Sequence, residues 1–385
     1  MNLVFFDGIE WNSLLPLTYT RPVSELRMGI LSFSERWCLL LKTQSSNLTV
    51  DYLQPKFSLI KEKQNIFLNP AFFPTVELVE KIQSLKNNQA IFQENHLVAF
   101  LGEEFNDSKN AQKVELKNKL MQLVYPWDLF TANHHALLFD FQLLTKDRVS
   151  QPISKTNGVI NPKNIFLEEG AKVEFAILNA SNAPIYVGKN AEIMEGSMIR
   201  GGLSLGEESK INMGAKIYGA TTIGPFSKVG GEINNSIFLG YSNKAHDGFI
   251  GNSVIGEWCN LGADTNNSNL KNNYSEVKMW SISEKKYVST GLQFCGFVMG
   301  DHSKTAIGTK INTGSTIGVS SNIFTSGFPD KFIPSFAWEG ENREVYNFEK
   351  AIQVASKVME RRNIKINELD INLLRHIEKI NKSKD

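Results

Sequence analysis

Large aliphatic residues recur every six positions through the middle of the chain: Val187, Ile193, Ile199, Leu205, Ile211, Ile217, Ile223 and Val229. If Ile, Leu and Val fill about a quarter of positions, eight such hits in one phase have odds of roughly one in 10⁴ to 10⁵. The next position is glycine at Gly188, Gly206, Gly224 and Gly230, and the fifth is small at Ala191, Ser197, Ser209, Ala215, Thr221 and Ser227. A short strand every six residues with a tight turn between predicts a three-sided coil of eighteen residues. The aliphatic side chain points inward and stacks on its equivalent one coil away. The small residue fits the corner, and glycine relieves the backbone at the turn. The rhythm returns as Ile250-Gly, Ile255-Gly and Leu261-Gly, and again as Ile311, Ile317 and Ile323. Between them, residues 266–297 break the period, which predicts a looped-out insertion.

The flanks have other textures. Residues 1–130 read as a mixed α/β domain, with a strand at Val4–Phe6 and a hairpin of Ile91-Phe92 with Leu97–Leu101 closed through Glu94-Asn95. A helix is predicted over 72–86, with Pro74 at its start and Leu78, Ile82 and Leu85 as one buried stripe. A second helix, over 127–141, puts Phe130, His134, Leu137, Leu138 and Phe141 on one face and opens a connection spanning 131–158. The solenoid is expected over 159–330 with its insertion near 266–303. Helical periodicity in 348–380 predicts a C-terminal cap over 345–385 that closes the solenoid end.

Composition narrows the function classes. The chain has 385 residues, 42% apolar and 21% charged, with 41 basic against 40 acidic side chains and a net charge of +1. That balance offers no electrostatic footprint for nucleic acid or a membrane surface. No apolar run approaches the roughly 18 residues of a membrane span, and Met1–Asp7 lacks the basic start of a secretory signal. Cys38, Cys259 and Cys295 have no metal-like spacing, so a reduced, cytoplasmic chain is expected. Only His246 and His302 among six histidines fall in the solenoid, too few for a three-histidine zinc set like that of the solenoid carbonic anhydrases, and no metal site is expected there. His134 and His135 read as a helix-face pair.

The hexads resemble the hexapeptide-repeat, left-handed parallel β-helix proteins, most of them trimeric, acyl-CoA-dependent acyltransferases. Handedness and a homotrimer are implied by that resemblance. The stretch Lys244–Ala263 is similar to the active-site coil of the bifunctional family that joins a sugar-phosphate nucleotidyltransferase to a glucosamine-1-phosphate acetyltransferase. The resemblance puts His246 on the catalytic histidine, Asn260 and Asn269 on substrate- or neighbour-contacting asparagines, and Ala263 beside the acetyl-CoA thioester. A neutral imidazole can take the proton of an amine or hydroxyl as it attacks a thioester. Asn235 stands where the family holds the sugar phosphate with lysine, and Phe249 and Leu270 stand where it has tyrosines. Loss of a cation and two hydroxyls points to another acceptor or to a site without activity. Lys304 and Lys310, with Lys331, are candidates for the CoA phosphates. His302, beside Asp301, is the second candidate base.

Near the N-terminus, Leu14–Arg27 resembles the opening of sugar-1-phosphate nucleotidyltransferases. Pro16-Leu17-Thr18 and Pro22 fit, but Ile9–Ser13 replaces most of the glycine-rich loop and Val23 takes the lysine position. Arg21 and Arg27 would supply the cationic clamp instead. The leading expectation is acetyl transfer from acetyl-CoA to an amino-sugar phosphate or nucleotide sugar, with His246 as general base. The alternatives are Mg²⁺-dependent nucleotidyl transfer by the first domain and a non-catalytic trimeric scaffold.

Overall fold

A computed structural model describes residues 2–382, so the last three residues of the expected C-terminal cap lie outside the described residues. Two compact units emerge; the first extends to Tyr125, except that Leu15–Tyr19 and Arg27–Ile30 belong to the second.

The first unit is an α/β layer. Its sheet runs in the order β2 (Ser45–Leu48), β1 (Asn2–Phe6), β3 (Asn65–Leu68), β5 (His96–Gly102), β4 (Gln89–Gln93), β6 (Gln112–Val114). β1 is parallel to β2 and β3, and β5 is antiparallel to β3 and β4. A one-turn helix α1 (Glu10–Ser13) follows β1. Helix α2 (Phe33–Leu41) opens on a capping box, with Ser32 Oγ accepting from the Glu35 N–H and Glu35 Oε2 from the Ser32 N–H. Helix α3 begins later than its sequence suggests, at Val76–Ser84, because the Thr75 hydroxyl caps the Leu78 N–H and Pro74 lies before the cap. Trp37, Leu41, Leu78 and Ile82 bury one face of the sheet.

The second unit opens with α4 (Pro126–Thr145). Its buried face is Leu129, Phe130, Asn133, Ala136, Leu137 and Asp140, whereas His134 is exposed. Two polar residues take buried positions because they serve backbone groups. Asn133 Oδ1 accepts from the Gly29 N–H at 2.7 Å, and Asp140 Oδ2 from the Ile30 N–H at 2.8 Å. Of the expected face Phe130 and Leu137 are buried, but His134 and Leu138 are exposed and their places in the core go to these polar residues.

The rest is a left-handed parallel β-helix with faces of six, nine and ten strands. The first face runs from Gly158–Ile160 to Phe249–Gly251, the second from Ile165–Leu167 to Phe332–Ile333, and the third from Lys172–Val173 to Ala337–Glu339 with an antiparallel edge at Arg343–Val345. All eight aliphatic residues of the hexads point into one core. The hexad glycines have another purpose than turn relief. Gly188, Gly206, Gly224 and Gly230 are not left-handed; a Cβ on Gly206 would lie 2.6 Å from Pro225 N of the next coil. They permit close approach between coils. The left-handed corners belong instead to residues such as Asn190, Phe226, Tyr241, Trp258, His302 and Phe336, with φ between 54° and 61°. Beyond Asn266–Asn267 the chain leaves the coil, forms the hairpin Lys278–Ser281 with Lys286–Ser289, and resumes at Phe297–Met299.

Helix α5 (Phe348–Glu360) starts on an Asn347 cap, and α6 (Glu368–Lys382) follows. Helix α5 doubles back along the third face, and Asn381 of α6 donates to the Ser335 carbonyl of the last coil at 2.8 Å. Phe348 stacks near Phe336 of the last coil at 5.8 Å, while Arg362 beyond its far end feels the charge of Lys228 five strands earlier. Thirteen residues at about 1.5 Å each suit that distance. No helix among the described residues is long and apolar enough to cross a membrane.

Candidate active site

On the third face the inward column reads Val173, Ile193, Ile211, Val229 and then Lys244. A lysine thus takes a place otherwise given to aliphatics, and it is 1% exposed. Its ammonium donates to the backbone carbonyls of His246 at 2.5 Å and Asp247 at 2.9 Å. Burial pushes its pKa down to about 8, against the opposing pull of the Asp247 and Asp264 carboxylates. Both bonds tie down one turn from inside the coil. The His246 side chain is exposed on the outside of that turn, and its imidazole bonds to no group among the described residues.

The next coil repeats the turn. The Asp264 N–H donates to the Asp247 carbonyl at 2.9 Å, so His246 and Ala263 occupy matching positions one strand spacing apart, about 4.8 Å. Asn260 lies three residues before Ala263, and Asn243 Nδ2 donates to its side-chain oxygen at 2.8 Å. On the other side of the corner, the Phe249 N–H donates to Asn266 Oδ1 at 2.7 Å, and Asn266 is in register with exposed Lys310. Phe249 and Asn269 meet over Gly251, where a Cβ would lie 2.5 Å from the Phe249 ring and 2.7 Å from Asn269 Nδ2. The fold therefore brings His246, Ala263, Asn260, Phe249 and Lys310 to one corner and its flanks, whereas Asn269 lies at the far end of the first face.

Other expected residues fall elsewhere. Asn235 holds a corner with φ 45°, as Asn252 does one coil on with φ 49°, and asparagine tolerates that conformation. Its position thus has a backbone reason. Asn269 Nδ2 continues this ladder by donating to Asn252 Oδ1 at 2.8 Å. Leu270 forms a bridge with Phe294 inside the insertion. His302 stands on the corner between the second and third faces, not on that of His246. It is buried and ends a ring ladder of Phe226, Tyr241, Trp258 and His302 with centroids 5.0, 4.2 and 6.3 Å apart. Lys304 lies on the third face; its ammonium donates to the His302 carbonyl at 2.7 Å and is pushed down to about 8 by loss of water. Sequence reasoning missed Lys244, because the coil shortens from eighteen residues to fifteen before it and the period no longer marks it as inward.

The nucleotidyltransferase-like motif is divided: Gly8–Ser13 and Arg21 lie in the first unit, Pro16-Leu17-Thr18 and Arg27 in the second. Arg21 is 5% exposed and bonds Thr20, and Arg27 Nη1 donates to the Ile30 carbonyl at 2.5 Å. In the first unit the Glu10 carboxylate occupies the space beside Gly8 that an open phosphate loop would leave free. Glu10 is buried and accepts from Gln122 Nε2 at 2.5 Å and Asn69 Nδ2 at 3.2 Å. Trp11 packs edge-on to Tyr52. Asp7, at the end of β1, accepts from the Thr49 hydroxyl and the Val23 N–H; burial nevertheless pushes its pKa up to about 6.

Residues 3–149 match a family described as sugar nucleotidyl transferase. The bifunctional protein GlmU of Methanococcus aeolicus is 35% identical over 108 residues, 26% of either chain. GlmU of Methanocaldococcus jannaschii is 33% identical over 104 residues, covering 27% of this chain and 25% of its own. A bifunctional sugar-1-phosphate nucleotidylyltransferase/acetyltransferase of Sulfurisphaera tokodaii is 33% identical over 100 residues, covering 26% and 24%. The chain thus spans about a quarter of the length of these curated relatives. The solved polySia-specific acetyltransferase NeuO aligns over 48% of this chain at 14% identity with a TM-score of 0.26, too loose to bear on function.

Proposed function

We propose that the protein is a transferase that moves an acetyl group from acetyl-CoA to an amino-sugar phosphate or nucleotide sugar at the His246 turn. The observation that carries this reading is the turn itself: an exposed imidazole on a backbone held from within by a buried ammonium, one strand spacing from the small Ala263. The names of the relatives support the same class.

In this reading His246 takes a proton from the acceptor amine as its nitrogen attacks the thioester carbonyl. The C–N bond forms, the C–S bond breaks, and the CoA thiolate departs and takes a proton. Asn260 and Asn269 orient the acceptor, and Lys310 faces a phosphate. Ala263 leaves room for the acetyl group. Exposed Met213 and Ile307 lie on the same corner as His246, which supports its burial against a second copy in a homotrimer. The test is release of free thiol from acetyl-CoA with glucosamine-1-phosphate and related amino-sugar phosphates as acceptors. Release that depends on an acceptor supports the reading; absence of release with every acceptor, and of any stabilisation by CoA, overturns it.

A second reading, nucleotidyl transfer in the first unit, is favoured by the match over residues 3–149. The side chains there fit Mg²⁺ poorly. Both oxygens of Glu10 already accept amide bonds, and burial disfavours the charged form of Asp7.

A further inference from the structure

Where α5 doubles back over the third face, it covers a pocket of about 350 Å³. Lys228 and Lys304 line it from the solenoid, and Arg361 and Arg362 from the helix end. No carboxylate is among its lining residues. Lys228 shows why this is unusual on a ladder of outward charges. One coil back, Lys210 pairs with Glu192 of the coil before it at 2.5 Å, so the register neighbours of Lys228 are the already paired Lys210 and the neutral Asn243. Lys228, Arg361 and Arg362 have no ion-pair partner among the described residues. The negative end of α5 accounts for two arginines at its C-terminus; it does not account for two lysines facing them.

We propose that this pocket binds a phosphomonoester. Arg361 and Arg362 offer planar forks to its oxygens, Lys228 and Lys304 complete the charge, and Asn243 and Asn260 stand between the two lysines in one register column. Asn243 is three residues before His246, so this column lies within about 10 Å of the turn along the strand. The volume is at the small end of ligand sites. It suits a sugar phosphate or the phosphorylated end of CoA, and not CoA whole. The choice between those sources rests on the acetyl-transfer reading; the phosphate chemistry does not. A cation set here would replace the family lysine that reads as Asn235.

Calorimetric titration of the full chain with glucosamine-1-phosphate, CoA and 3′-dephospho-CoA tests the proposal. Lys228→Gln, on a rigid strand, should weaken the phosphomonoester ligand about tenfold, and Lys228→Gln with Arg362→Gln about 100-fold. Lys216→Gln, on the first face, should change nothing. If CoA weakens while 3′-dephospho-CoA does not, the pocket holds the donor; if the sugar phosphate weakens, it holds the acceptor. No phosphomonoester binding by the wild type, or equal affinities in all variants, overturns the proposal. Lost binding without thiol release leaves the pocket standing and removes the acetyltransferase. Thiol release with unchanged KM in the variants does the reverse.

Discussion

The ammonium of Lys244 lies inside the solenoid and donates to the backbone carbonyl of His246, whose imidazole is on the outside. The buried cation and the exposed ring are thus two sides of one turn. Removing the cation should separate stability from activity. Lys244→Met fits the aliphatic column, and replacing a buried charge by a hydrophobe is often neutral or stabilising. The variant should therefore melt no lower than wild type at pH 7. Its kcat should fall about 10- to 100-fold as the turn loosens. Thermal melts beside initial rates check both.

Lys244 also imposes a pH dependence. Its folded pKa, about 8, lies below the ordinary 10.5, so between these values the unfolded chain binds the extra proton. Stability should climb with pH across that window, by up to about 3 kcal/mol. In urea titrations of Lys244→Met the climb should shrink by this amount, leaving the part due to Lys304, whose pKa is also pushed down to about 8.

Asp7 acts in the opposite direction. Its folded pKa, about 6, exceeds 3.8, so the native state holds the proton more tightly and stability falls as pH rises through that interval. Asp7→Asn should stabilise the first unit by up to about 3 kcal/mol at pH 7. The gain should fade as pH drops from 6 to 4, as read by denaturation at each pH.

Two glycines distinguish close approach from left-handed backbone. Gly206 lacks space for a Cβ, whereas Gly214 has φ 70° and nothing within 4 Å of one. Gly206→Asn should cost about 1–3 kcal/mol by forcing coils apart. Gly214→Asn should cost under about 1 kcal/mol, because asparagine tolerates that φ. Chemical denaturation of both variants decides it.

The solenoid was legible because each inward aliphatic repeats a single local rule from Val187 to Val229. After Val229 that rule fails. The partner of Ile223 is Phe238, fifteen residues on, where the earlier coils take eighteen, as from Leu205 to Ile223. Lys244 consequently enters the aliphatic column without a period to announce it. The stripe on α4 was partly misread because Asn133 and Asp140 are buried for the sake of distant backbone at Gly29 and Ile30. Of the cations under α5 the sequence singles out only Lys304, for a similar reason: Lys228 and Arg362 are far apart in sequence and meet only when the helix turns back. His246 was legible through likeness to a known coil, and what holds it was not.

The most direct test compares acetyl transfer by wild type and His246→Ala under saturating acetyl-CoA and the best acceptor. Loss of a general base should lower kcat by about 10²- to 10⁴-fold while KM for acetyl-CoA stays within about twofold. Transfer that proceeds at the wild-type rate without His246 contradicts catalysis at this turn.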